Sequence, residues 1–112
     1  MAQFKVYRNL DVQTTGSLVE SGPHSLMGYY MSNMATSARY VKFYDQATAP
    51  TAGTGTPVLT IALPAGGAAN LSPGGIGWPF STGLTLCAAT GVGDTSTAAP
   101  TANDVIVNLV YQ

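Results

Sequence analysis

From residue 46 to residue 93 the chain carries no charged side chain, and no run there that is free of proline and glycine exceeds seven residues. An isolated helix needs about 12–15 residues of unbroken hydrogen bonding, and every proline removes a donor and clashes with the turn before it. Helices are therefore excluded from this central part. A membrane-spanning helix, which needs about 20 consecutive apolar residues, is excluded for the same reason. What fits is a series of short extended segments joined by turns. Residues 49–57 form a loop that ends on Pro57, placed to open the next strand. Pro64-Ala65-Gly66-Gly67, Pro73-Gly74-Gly75 and Gly91-Val92-Gly93-Asp94 are further breakers.

Between the breakers the pattern has period two. In residues 39–45, Val41 and Phe43 alternate with Tyr40, Lys42 and Tyr44, which predicts a strand with one buried face. Leu59, Ile61 and Leu63 share one face of residues 58–63, and Leu84 and Leu86 alternate with Thr85 and Cys87. Near the end of the chain, Val105, Val107, Leu109 and Tyr111 alternate with Ile106, Asn108 and Val110. Both faces there are apolar, which predicts a central strand covered on both sides. Met27, Met31 and Met34 have helical spacing, but Gly28-Tyr29-Tyr30 favours a strand. Residues 24–32 are read as a strand that turns through 33–37 and pairs with 39–45 as a hairpin. Residues 3–8 alternate Phe4 and Val6 with Lys5 and Tyr7, which fits an edge strand or an arm reaching out of the domain. The expected architecture is all-β: one antiparallel β-sandwich over residues 21–112, preceded by residues 1–20 as an extended N-terminal arm or edge strand.

A length of 112 residues corresponds to one domain that can bury a core without staples. Its surface is unusual. Only 8% of residues are Asp, Glu, Lys or Arg, against about a quarter in an ordinary soluble domain. Thr, Ser, Asn, Gln, Gly and Ala must fill the exposed positions. Such a surface hydrogen-bonds well and does not repel a neighbour, which suits a part in an assembly. The net charge of −1 offers no field for a phosphate backbone, so no nucleic-acid partner is expected. The single cysteine, Cys87, excludes an intrachain disulfide. Residues 1–20 show no basic segment followed by an apolar one, so the expectation is a soluble, cytoplasmically made chain with no secretory signal.

No residue pattern points to catalysis. His24 is the single histidine, and no spacing ties it to Cys87 or to a particular serine. Cys87 lies in an apolar strand, where a free cysteine serves as a small buried hydrophobe. The five acidic residues, Asp11, Glu20, Asp45, Asp94 and Asp104, are scattered near strand ends and loops, where solvated or turn-capping roles are ordinary. One histidine and one cysteine cannot supply a zinc site, and Asp94-Thr95-Ser96-Thr97 lacks the spacing of a calcium loop. No lysine follows the glycines in a phosphate-loop pattern. No enzyme, cofactor or metal is expected. The aromatic residues are the better candidates. Tyr29, Tyr30, Tyr40, Phe43 and Tyr44 cluster, with Phe43 and one of Tyr29 and Tyr30 assigned to the core. Trp78 and Phe80 fit core packing and subunit contact alike, and as platforms they would also suit sugar stacking. The candidate interface residues are Phe4, Val6, Tyr7, Arg8, Trp78 and Phe80.

The segments Arg39-Tyr40-Val41-Lys42-Phe43-Tyr44-Asp45, Gly55-Thr56-Pro57-Val58, Ile61-Ala62-Leu63-Pro64-Ala65-Gly66-Gly67, Pro73-Gly74-Gly75-Ile76 and Asn103-Asp104-Val105-Ile106-Val107-Asn108-Leu109 carry a resemblance. Over residues 24–111 the chain resembles small virion structural proteins of tailed bacteriophages, of the capsid cement or decoration type. The resemblance implies a β-sandwich, often a jelly roll, that binds the outer surface of the head as a symmetric oligomer. The implied partners are the major capsid protein and further copies of the chain, and the implied location is the capsid surface of the virion. A trimer matches the threefold positions of an icosahedral shell. Two alternatives remain open: another virion module (head fibre, spike base or tail accessory protein) and a carbohydrate-binding β-sandwich.

Overall fold

Extended backbone makes up every regular element. The computed structural model describes residues 3–112, and among these residues there are nine strands and no helix. They are β1 (Lys5–Asn9), β2 (Ser17–Ser21), β3 (His24–Asn33), β4 (Arg39–Asp45), β5 (Leu59–Leu63), β6 (Ala68–Leu71), β7 (Trp78–Phe80), β8 (Gly83–Ala89) and β9 (Val105–Tyr111). All pairings are antiparallel. The first sheet has the order β1-β9-β3-β6, with β7 also paired to β3, and the second has the order β2-β8-β4-β5. The two pack together as an all-β sandwich. Most connections cross from one sheet to the other, so neighbours in sequence are seldom neighbours in a sheet.

The hairpin expected between residues 24–32 and 39–45 does not form. β3 belongs to the first sheet and β4 to the second. The side chain of Asn33 redirects the chain. Its amide nitrogen donates to the carbonyls of Ser37 (2.9 Å), Leu63 (3.2 Å) and Pro64 (3.0 Å), and its oxygen accepts from the Ala35 N–H (2.9 Å). A buried amide satisfied at four points fixes a corner, and the corner turns the strand into the opposite layer.

The N-terminal segment is part of the body and not an arm. β1 pairs with β9 from Lys5↔Tyr111 to Asn9↔Val107, and β2 pairs with β8, so each is an edge strand. Tyr7 packs against the core. Of the expected arm, residues 1 and 2 lie outside the described residues.

The inward faces carry the core: Leu26, Tyr29 and Met31 of β3, Val107 and Leu109 of β9, Val41 and Phe43 of β4, and Leu84, Leu86 and Ala88 of β8. Each fully buried aliphatic side chain contributes about 1.5–3 kcal/mol. Phe43 meets Phe80 across the layers, with ring centroids 6.4 Å apart and planes at 58°. Three polar clamps also join the sheets. Arg39 Nε donates to Asp104 Oδ2 at 3.1 Å, and Asp104 also caps the Thr101 N–H. Asp45 holds the turn from β7 to β8, and Glu20 of β2 meets Lys5 and Tyr111 of the first sheet.

The outer faces differ from expectation in both layers. β9 is central, as its apolar alternation implies, but the chain covers only its inner side; Ile106, Asn108 and Val110 stay partly exposed. The strand buried on both sides is β8. The loop after β4 and the loop after β8 fold over the outer face of the second sheet. Gly16 N–H donates to Pro50 O at 2.7 Å and Ala52 N–H to Thr14 O at 2.9 Å, which ties down the first loop. The loops also meet each other, since a Cβ at Gly53 would lie 2.5 Å from the Thr97 methyl.

Candidate interaction surface

The outer face of the first sheet is laid out by strand register. One row reads Val6, Val110, Gly28, and the next reads Arg8, Asn108, Tyr30, Asn70. Ile106, Ser32 and Ala68 continue it. Val6 is 71% exposed and Tyr30 46% exposed. Among the described residues of these rows, Arg8 is the one charge. The face is a neutral mixture of aliphatic, amide and hydroxyl groups.

Of the residues singled out in the sequence, Val6 and Arg8 lie on this face, and Phe4 is exposed just before β1. Tyr7 points the other way, toward the core, where its hydroxyl accepts from Asn9 Nδ2 at 3.0 Å. Trp78 is partly exposed on β7, at the far edge of the same sheet. Phe80 is removed from the interface set. It is 1% exposed and packs on Phe43, so no partner can reach it without opening the sandwich. Residues that the sequence reading missed include Ile106 and Val110, because the apolar outer side of β9 was assigned to cover from within the chain. Of the pair Tyr29 and Tyr30, Tyr29 is the core residue and Tyr30 lies on the open face.

At one end of the sandwich a polar cluster borders an open cleft. Lys5 Nζ donates to both Glu20 oxygens at 3.0 and 3.1 Å, and Tyr111 OH donates to Glu20 Oε1 at 2.9 Å. These bonds hold the Glu20 carboxyl below its usual range, with Lys5 the larger cause. Burial pushes the Tyr111 hydroxyl up to about 12, and the Glu20 contact adds to it. His24 Nε2 lies 3.0 Å from Ser21 O and 3.4 Å from Glu20 Oε2, with its ring edge-on to Tyr111. The cleft has a volume of about 370 Å³ and is lined by Pro23, His24 and Ser25, by Pro79, Phe80 and Ser81, and by Gln112. Its neighbouring charges are paired with each other, so they have little to offer a charged ligand.

A second group of reactive residues is sealed. Lys42 and Cys87 are cross-strand partners on the covered face, and both are fully buried with Tyr44. Lys42 Nζ donates to the Gly93 carbonyl of the overlying loop. Burial pushes the Cys87 thiol up and the Tyr44 hydroxyl up to about 12, with Cys87 and Asp94 adding to the Tyr44 shift. Among the described residues, the Tyr44 hydroxyl has no hydrogen-bond partner. A protonated thiol under two loops is a poor nucleophile. Alternation alone placed Lys42 on an open face, and only the overlying loops reveal its burial.

Asp45 is a structural carboxylate. It accepts from the backbone N–H groups of Ser81, Thr82 and Gly83 and from the Ser81 hydroxyl at 2.8–3.1 Å, which lowers its pKa to about 2. Among the described residues, no three of His, Cys, Asp and Glu are grouped so as to hold a metal ion.

Comparison with protein-family models, with curated proteins and with solved structures finds no match to this chain.

Proposed function

We propose that this chain is a structural protein of a tailed-phage virion, a cement or decoration protein that binds the outer surface of the head as a homo-oligomer and stabilises it without catalysing a reaction. The observation that carries the reading is the contrast between layers: one sheet covers its outer face with its own loops, and the other leaves most of a nearly charge-free face open. Docking that face strands few charges, so wide, shallow contacts to coat subunits cost little desolvation. The strand order supports the reading as well. With β6 and β7 counted as two parts of one interrupted edge strand, the eight strands follow what we read as a jelly-roll order, an architecture found in viral capsid and lectin domains. Fold alone does not assign a role, and the phage assignment rests on the sequence resemblance.

The partners in this reading are the major capsid protein and other copies of the chain, a trimer matching the shell's threefold positions. Binding only to the assembled shell raises shell stability by mass action. The test is to strip the protein from heads and add it back. Stripped heads should release DNA at a lower temperature, and addition should restore it with saturation at a symmetry-determined copy number. Equal release temperatures would overturn the reading. A carbohydrate-binding role has one favouring observation, Trp78 partly exposed beside an open cleft. Glycan binding by the isolated protein, lost in Trp78→Ala, would place it ahead.

A further inference from the structure

Residues 90–98, the first part of the connection from β8 to β9, form a small flap closed by its own hydrogen bonds. The Thr90 N–H donates to Ala98 O at 3.0 Å and shuts its neck, and the Ser96 N–H donates to Gly93 O at 3.0 Å and turns its tip. Gly91 lets the two sides meet, since a Cβ there would lie 2.5 Å from Ser96 Oγ. The flap itself buries little apolar surface. Its one large apolar residue, Val92, is 62% exposed, and the buried cluster on the covered face is only Tyr44, Ala52, Cys87 and Ala89. A segment with so few apolar contacts opens more readily than the strands it rests on.

The tip is also bonded from below. Lys42 is fully buried, and its Nζ donates to the same Gly93 carbonyl. An ammonium carries three donors, and Gly93 O is the one acceptor it meets among the described residues. Its cross-strand neighbours on that face, Cys87 and Thr60, are not carboxylates. The ion pairs among the described residues use Lys5, His24 and Arg39, and none uses Lys42. A buried cation without a counter-ion is costly, and one hydrogen bond to a neutral carbonyl recovers only part of that cost. Lifting the flap returns Nζ to water. The lysine that bonds the flap therefore also favours its opening.

We propose that residues 90–98 are a flap biased to open by Lys42, which lifts while both sheets stay intact and then presents Lys42 and Cys87 on the outer face of the second sheet. Gly93 O keeps its bond from Ser96 when Lys42 leaves, so the flap moves as a formed loop. The other covering loop is tied down separately, by the bonds from Gly16 to Pro50 and from Ala52 to Thr14. Closed, the covered face hides a cation and a thiol; open, it offers both.

Cys87, the single cysteine of the chain, reports the opening. In the parent chain a maleimide should label it about a hundredfold faster than global unfolding allows, at a rate nearly independent of urea below the unfolding transition. Hydrogen exchange at the Thr90 and Ser96 amides should show the same independence. Lys42→Met removes the charge and keeps the bulk, and Lys42→Gln removes the charge and keeps a polar head. Both should slow labelling by about tenfold or more, and Lys42→Met should not lower the thermal midpoint. Labelling of the parent that follows global unfolding across urea overturns the flap, and this measurement needs no variant to fold. Labelling that is unchanged or faster in both variants overturns the role of Lys42, which would then fasten the loop or have no part in its motion.

Discussion

The two outer faces of the sandwich have nearly the same raw material and opposite fates. The outward residues of β4 and β8 include Lys42, Tyr44, Thr85 and Cys87, more polar than the Ile106, Asn108 and Val110 of β9. Yet the more polar face is buried and the more apolar one is open. Loop length explains the inversion. β4 and β8 are followed by long Gly- and Thr-rich loops that can fold back, whereas the first sheet has no comparable flap among the described residues. A covered face is finished within the chain, whereas an open face with few charges costs little desolvation to bury.

A charge separates the two faces most sharply. Ala89→Asp places a carboxylate under the loops beside Tyr44 and Cys87 and should cost about 3–5 kcal/mol, measured by denaturant unfolding. Val110→Asp on the open face should cost less than about 1 kcal/mol and, on the proposed function, should abolish binding to heads. Similar costs at both sites would erase the contrast.

Next in size is the Asp45 clamp, which anchors the turn into β8. Asp45→Ala leaves three backbone N–H groups unpaired and should destabilise by about 1–3 kcal/mol. The sign with pH follows from the lowered pKa. The contribution is complete above the unfolded value of about 4 and is lost as pH falls through the folded value of about 2. Urea melts of the parent chain should therefore weaken across that window, and those of Asp45→Ala should weaken less.

The tyrosines sharpen the comparison at high pH. Tyr44 under the loops and Tyr111 beside Glu20 are both pushed up to about 12, so their contribution is complete below about pH 10 and is lost as pH rises through 12. Absorbance at 295 nm should show the ionisation of Tyr44 and Tyr111 coinciding with alkaline unfolding. Smallest is Tyr44→Phe, which removes an unpaired hydroxyl and should shift stability by no more than about 0.5 kcal/mol, in either direction.

Much of the framework was readable from alternation and turns. β4, β5, β8 and β9 lie where Val41 and Phe43, Leu59 to Leu63, Leu84 and Leu86, and Val105 to Tyr111 place them, because a period-two signal is local. Sheet membership was not. The cluster around Asn33 reads as a hairpin turn, and its true role depends on the carbonyls of Leu63 and Pro64, some thirty residues away. β6 and β7 were hidden among glycines and prolines, since four- and three-residue strands carry almost no pattern. For the surface, period two puts Phe4 and Val6 on the side opposite Tyr7, but that Val6 is open follows only from the position of β1 at the sheet edge. Phe80 and Lys42 were misjudged because burial there is set by packing from distant segments.

The repeated crossing between layers has a kinetic consequence. Neither sheet can form by joining successive strands, so early collapse must bring together segments far apart in the chain. Such topologies fold on millisecond-to-second timescales, slowly for their size. The same interleaving ties unfolding to separation of the two layers, so the persistence of the fold is a slow rate of coming apart and not a deeper energy minimum.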